Sequence, residues 1–354
     1  MPAIDLDPMI VHQDALEPAL SALDQYLVVP GPQGLLRIGS SSRGELVGRR
    51  EGSVIEGLGD VEYIHLAIKS SEIDSMQARA RDARQEFAEV FQDVAVSSIK
   101  GYQLRRLRHR FWLWEAIRCG RIVAGHDFRP LLPRVTIETL DFRELNEILL
   151  WRMLKLVDGY KSDVVADHLT RPCDGQCFPL RFHVARQILD LTTWWLPRQG
   201  MLLPGFKPRV ERFTNDEEVP SSVRELVSNA WLMRQTGSSN LSCREWVEMG
   251  SAALLWADGE RTSSDVHDSR FGDSDLRSQA TRFKFYLQRS PMRALLDAGT
   301  LVRSRELLYR QLRPLVEALT NISMVVQAPD AWNGRRLHAV ESSKRSIEWV
   351  TAES

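Results

Sequence analysis

The chain predicts a mainly α, α+β protein in which a small N-terminal α/β portion with a short sheet precedes a larger multi-helix body. Three observations lead there. Residues 61–68 alternate in a short β-rich run, with Val61, Tyr63, His65 and Ala67 set against Ile64, Leu66 and Ile68. From Ser70 onward, apolar residues recur instead at spacings of three and four, the helical period. Finally, 354 residues with 43% hydrophobic and 26% charged side chains are ordinary globular composition, with enough chain for a sizeable core and about two domains.

Taken in order, residues 13–27 read as a helix that Pro30-Gly31-Pro32 ends. Strands are expected at 35–39, near 53–55 and at 61–68. A helix opens at Ser70, with a serine at its start and a carboxylate in its first turn. Further helices are expected at about 100–122, 140–157, 180–196, 220–235, 242–257, 275–289 and 291–320. Loops are expected at Pro130–Arg134, Arg171–Cys177, Leu196–Pro208, Thr236–Asn240 and Asp258–Asp275. The domain boundary falls at 98/99, giving 1–98 and 99–354, with a sub-boundary near 198–220. The tryptophans fall mostly within helices, where large aromatics serve the core. Trp194 and Trp195 are adjacent, so one of them is expected to line a groove or an interface.

The net charge of −1 excludes a uniformly basic coat, so any anion binding must come from local patches. Seven lysines leave 39 arginines among the 46 basic residues, and the planar guanidinium suits bidentate contact with phosphate or carboxylate. Residues 100–121 concentrate Lys100, Arg105, Arg106, Arg108, Arg110, Arg118 and Arg121 against the single acid Glu115, with Tyr102, Phe111, Trp112 and Trp114 interspersed. Read as one helix, this segment sends Leu104, Leu107, Phe111, Trp114 and Ile117 to the core. Arg105, Arg106, Arg108, Arg110 and Trp112 are then left for a phosphate backbone. A second basic and aromatic segment holds Arg282, Lys284 and Arg289. The competing expectation is that these arginines pair internally with acidic runs such as Glu138–Glu147 and Asp216–Glu218.

His168, Cys173, Cys177 and His183 lie within sixteen residues and could supply a structural zinc with four ligands. Four cysteines in all are too few for a disulfide scaffold in a chain of this size. The N-terminus lacks a signal-peptide layout, and no run of eighteen apolar residues occurs. A cytoplasmic protein without membrane contact is the expectation.

The predicted order of helix, strand, strand, strand, helix in the first hundred residues is similar to the restriction-endonuclease-like nuclease core. That resemblance implies a metal-dependent nuclease or an inactive relative, with Lys69 as the strand-end lysine and Glu56 or Asp60 as the metal-holding carboxylate. The sequence departs from the family at Ala67, where the motif has an acid two residues before the lysine. His126-Asp127 resembles the dipeptide of HD-type metal phosphohydrolases, with His109 and Asp163 or Asp167 as the partners that resemblance requires. The phosphate loop, the G-x-S-x-G elbow and the H-E-x-x-H zinc motif are absent. Taken together, the sequence points to a non-catalytic, nucleic-acid-associated protein or complex subunit. A nuclease, or a scaffold that docks an acidic protein surface, stands as the alternative.

Overall fold

The computed structural model describes residues 9–29, 34–160, 178–265, 305–328, 330–337 and 339–341. They divide into two units. The first contains 1–141, 196–213 and 231–238; the second contains 142–195, 214–230 and 239–354.

In the first unit, β1 (Met9–His12) runs directly into α1 (Gln13–Leu27). Leu16, Leu20, Leu23 and Leu27 recur at helical spacing on α1 and all are buried. Strands β2 (Gly34–Ile38) and β3 (Val47–Glu51) lie end to end along one side of the long β4 (Val54–Ala67), both antiparallel to it. A single 3-10 turn at Ser40–Ser42 separates them. Gly39 enters that turn at φ 71°, a left-handed conformation that glycine adopts without a Cβ penalty. Helix α2 (Ser70–Glu86) then carries the chain across to β5 (Phe91–Lys100), which pairs with β4 in parallel. Besides β5, the outer strands are β1, paired with β3, and β6 (Arg121–Ala124), paired with β2.

The core of this sheet is filled from α1 and α2 onto Leu35, Val61, Tyr63, Val94 and Val96. One charged residue lies within it. Arg37 on β2 is fully buried, and its guanidinium meets Asp24 of α1 at 3.1 Å. The Tyr63 hydroxyl donates to the other oxygen of Asp24 at 2.8 Å.

The helix expected over 100–122 is replaced by three pieces. Residues Gly101–Arg106 form a 3-10 helix, 107–110 are extended, and α3 spans Phe111–Cys119. The reason lies in anchoring. Leu104 and Phe111 are both buried, and the extended link lets the His109 carbonyl accept the backbone N–H of Asp141 at 2.7 Å. The expected boundary at 98/99 therefore falls inside the first unit, because β6 completes the sheet beside β2. Helix α6 (Phe206–Thr214), whose start falls in the loop expected at Leu196–Pro208, and the end of α7 (Ser221–Thr236), expected as a helix at about 220–235, also belong to this unit.

The second unit is helical. It is built from α4 (Phe142–Gly159), α5 (Phe178–Arg198) up to Trp195, α8 (Cys243–Asp265), α9 (Arg305–Leu319) and α10 (Ile322–Gln327). Helix α9 packs on both α4 and α8. At the start of α8, Ser242 and Glu245 cap each other's backbone N–H groups, at 2.8 and 3.2 Å. Helix α8 continues through residues 258–265, expected as loop, because the Asp258 carboxylate is buried between Arg261 and Arg313, at 3.0 and 3.3 Å.

Trp194 and Trp195 are both buried, which corrects the expectation that one faces outward. Residues 191–196 of α5 are buried on every side, as a helix enclosed by its neighbours must be. The two indoles lie 5.9 Å apart and share Trp256 at 6.3 and 5.3 Å. The Trp195 indole N–H donates to Asp216 at 2.9 Å. Among the described residues, no helix is long and apolar enough to cross a membrane.

Candidate nucleic-acid interface

The parallel pairing of β4 and β5 determines where the basic residues collect. Ala67 is in register with Lys100, so both strands end at the same level. Ile68-Lys69 and Gly101-Tyr102 thus leave the sheet side by side. The end of parallel strands at which a crossover helix begins is where α/β folds place ligands.

Two large apolar side chains are exposed at this edge: Tyr102 at 66% and Ile68 at 58%. The Lys100 ammonium lies 6.0 Å from the centre of the Tyr102 ring and donates to the Ser70 hydroxyl at 2.9 Å. Glu72 closes the start of α2, accepting from the backbone N–H groups of Ile68 and Lys69 at 2.6 and 2.9 Å. Those two bonds hold its carboxyl below the usual range. The negative charge at this edge is therefore committed to the helix cap, leaving Lys69 exposed.

The basic run follows immediately. Arg105 and Arg106 lie in the 3-10 helix, and Arg108 is exposed on the extended link. Arg110 belongs elsewhere: it is 9% exposed and stands at the entry to α3. Trp112 is half-buried. No single helix joins Arg106 to Arg110, so the continuous helix expected to carry these arginines is absent. The exposed lysine at this edge is Lys69, beside the half-buried Lys100, with Arg105, Arg106 and Arg108 following in the backbone. Arg282, Lys284 and Arg289 lie outside the described residues.

Many arginines prove to be internal. Arg43 reaches Glu45 at 2.8 Å and Glu115 at 3.1 Å, while Arg209 reaches the other oxygen of Glu115 at 2.6 Å. Glu45 in turn accepts the backbone N–H of Phe206 at 2.6 Å, and its carbonyl accepts Arg234 at 2.7 Å. The guanidiniums of Arg43, Arg209 and Arg234 surround the Phe206 ring at 5.7, 4.9 and 5.2 Å. Burial works against the charge on Arg43, but Glu115 and Glu45 outweigh it and raise its pKa. Glu115, the lone acid of the basic run, is thus the clamp that attaches α3 to the 43–45 turn and to α6. No local pattern marks Arg43, Arg209 or Arg234, which are 25 or more positions apart.

The nuclease candidates are not brought together. Glu56 and Lys69 lie on and just beyond the same strand, separated by roughly 40 Å of extended chain at about 3.3 Å per residue. Glu56 is paired with Arg49 at 2.6 Å. Asp60 is exposed and lies in register with Asp93 of β5, again far along the strand from Lys69. Asp127 of the His-Asp dipeptide is engaged by Arg129 at 2.7 Å, which lowers its pKa.

Of the zinc candidates, His168, Cys173 and Cys177 lie outside the described residues. His183 is on α5, with its Nε2 2.8 Å from the Lys155 carbonyl. Burial lowers its pKa, against the opposing pull of that carbonyl. Among the described residues no group of three or more His, Cys, Asp or Glu side chains could hold a metal ion.

No protein-family model, curated protein or solved structure matches the chain.

Proposed function

We propose that this protein is a non-catalytic nucleic-acid-associated protein, or the subunit of a complex, that contacts a phosphate backbone through the edge where β4 and β5 end. The observation that carries this reading is the exposed Tyr102 ring beside Lys100, at the strand end that Lys69 follows and just before the Arg105–Arg108 run. An exposed aromatic flanked by cations supports stacking on a base while the cations track phosphates. Lysine and arginine contacts of this kind position a strand and carry no sequence information by themselves.

Fluorescence anisotropy of a labelled single-stranded oligonucleotide, measured across salt concentrations, tests the proposal. Replacing both Lys69 and Lys100 with Ala should lower the magnitude of the log–log salt slope by about 1.4, at ~0.7 per phosphate contact on a single strand. Tyr102→Ala should weaken binding with little change in that slope. An unchanged slope in the double variant, or absence of binding at about 50 mM salt, would refute the proposal.

A further inference from the structure

The first unit contains a second concavity that shares no residue with the basic edge. It is an open cleft of about 520 Å³, within the range of small-molecule sites. His12 at the end of β1 and the 42–45 turn form one side. Residues 204–208 and the last turns of α7 supply the rest.

Trp231 and Gln235 are four residues apart on α7 and so share a face. Both line the cleft, together with Lys207 and His12. These four side chains have no hydrogen bond, ion pair or ring contact among the described residues. The one carboxylate in the wall, Glu45, is already occupied by Arg43 and by the Phe206 N–H. In and behind the wall, Arg43, Arg209, Arg234 and Lys207 outnumber Glu45 and Glu115, so the surroundings are net positive. Cys119 also lines the cleft, and burial and then Glu115 push its thiol pKa up.

The available groups are therefore a flat indole, an amide with one donor face and one acceptor face, and at the rim an ammonium and an imidazole. An indole stacks on a planar ring. A glutamine amide matches the donor–acceptor edge of a nucleobase. A lysine ammonium and an imidazole N–H both donate to a phosphate. We propose that this cleft binds a nucleoside monophosphate, with its base against Trp231, its base edge read by Gln235 and its phosphate held by Lys207 and His12.

Titration calorimetry with the four ribonucleoside 5′-monophosphates, adenosine, inorganic phosphate and a short single-stranded oligonucleotide tests this on the full chain. At least one monophosphate should bind one-to-one, with the nucleoside and phosphate arms each weaker by about tenfold or more. Lys207→Ala should weaken the monophosphate and leave adenosine unchanged. Gln235→Leu should alter the ranking among the four bases. Lys207 is exposed and Gln235 half-buried, so both variants leave the core intact. The Lys69→Ala/Lys100→Ala protein should bind the monophosphate as before, which separates this site from the basic edge. Absence of saturation by any monophosphate up to ~1 mM overturns the proposal, as does binding that ignores Lys207→Ala. If the oligonucleotide binds and no monophosphate competes, the cleft proposal fails while the edge proposal stands. If monophosphates bind and the oligonucleotide does not, the ligand is a free nucleotide.

Discussion

Removing the Glu115 carboxylate should be among the most damaging single changes available on α3. One oxygen meets Arg43 at 3.1 Å and the other Arg209 at 2.6 Å, and the two guanidinium side chains are only 8% and 3% exposed. At an effective dielectric of about 20, these contacts are worth at most about 5–6 kcal/mol of attraction each before desolvation is counted. Removing one partner of a buried pair typically costs about 3–5 kcal/mol, because the remaining charge is stranded. Here each arginine retains a second acceptor: Glu45 for Arg43 and the Gly205 carbonyl for Arg209. The cost of Glu115→Ala should therefore fall near the lower end, about 3 kcal/mol. Against a total stability of about 5–15 kcal/mol, that is a large fraction.

Urea denaturation followed by tryptophan emission measures it. With m near 2–3 kcal/mol/M, the midpoint should drop by about 1–1.5 M. Glu115→Gln, which keeps an acceptor and loses the charge, should cost about half as much. The double variant with Arg43→Met should be less destabilised than the sum of the single changes, with a coupling of about 1–3 kcal/mol. A loss below about 1 kcal/mol for Glu115→Ala, or strict additivity with Arg43→Met, would show that the clamp is not holding the turn and α6 together.

Three other outcomes follow from the same kind of geometry. Burial lowers the pKa of His183 and of His65, so the folded state binds fewer protons than the unfolded state. Their contribution is complete above about pH 6.5, the unfolded value, and is lost as pH falls from there toward the lowered folded values. Melting temperature should therefore decline below that point, less steeply in His183→Gln, and an identical slope in the variant would contradict the argument. A Cβ on Gly159 would come within 2.6 Å of the His183 Nε2, so Gly159→Ala should cost about 1–3 kcal/mol in thermal denaturation. Pairing it with His183→Ala should remove most of the steric component. Trp195→Phe keeps an aromatic ring but leaves the Asp216 carboxylate without its indole donor at 2.9 Å, a loss of about 1–3 kcal/mol. Equal stability of this variant and the parent would show that the bond contributes nothing.

How far the chain could be read in advance varied by element, for physical reasons. The helices α1, α2, α4, α5 and the first part of α8 are marked by apolar residues at helical spacing, and the structure places them there. The expected run at 61–68 coincides with the second half of β4 up to Ala67, and the burial of β4 alternates over 60–63. Strands β1, β3, β5 and β6 went unread. Arg49, Arg50 and Glu51 on β3 look like loop residues until their pairing with β1 and β4 is known. The break in the 100–122 segment was equally hidden, because a stripe of Leu104, Leu107, Phe111 and Trp114 satisfies helical periodicity whether or not the backbone is continuous.

The candidate site shows the same division. Charge density depends only on composition along the chain, so the basic run at 100–121 was evident from the residues alone. Which of those charges reach solvent depends on contacts between distant segments. Arg110 is buried at the start of α3, Glu115 is occupied by Arg43 and Arg209, and the parallel register of β4 and β5 brings Ala67 level with Lys100. The sequence by itself determined the helical period, the division into a sheet-bearing start and a helical remainder, and the local excess of positive charge. Only the tertiary structure decided which arginines are consumed inside the fold, because ion pairing and burial depend on distances of 3 Å between residues up to 94 positions apart.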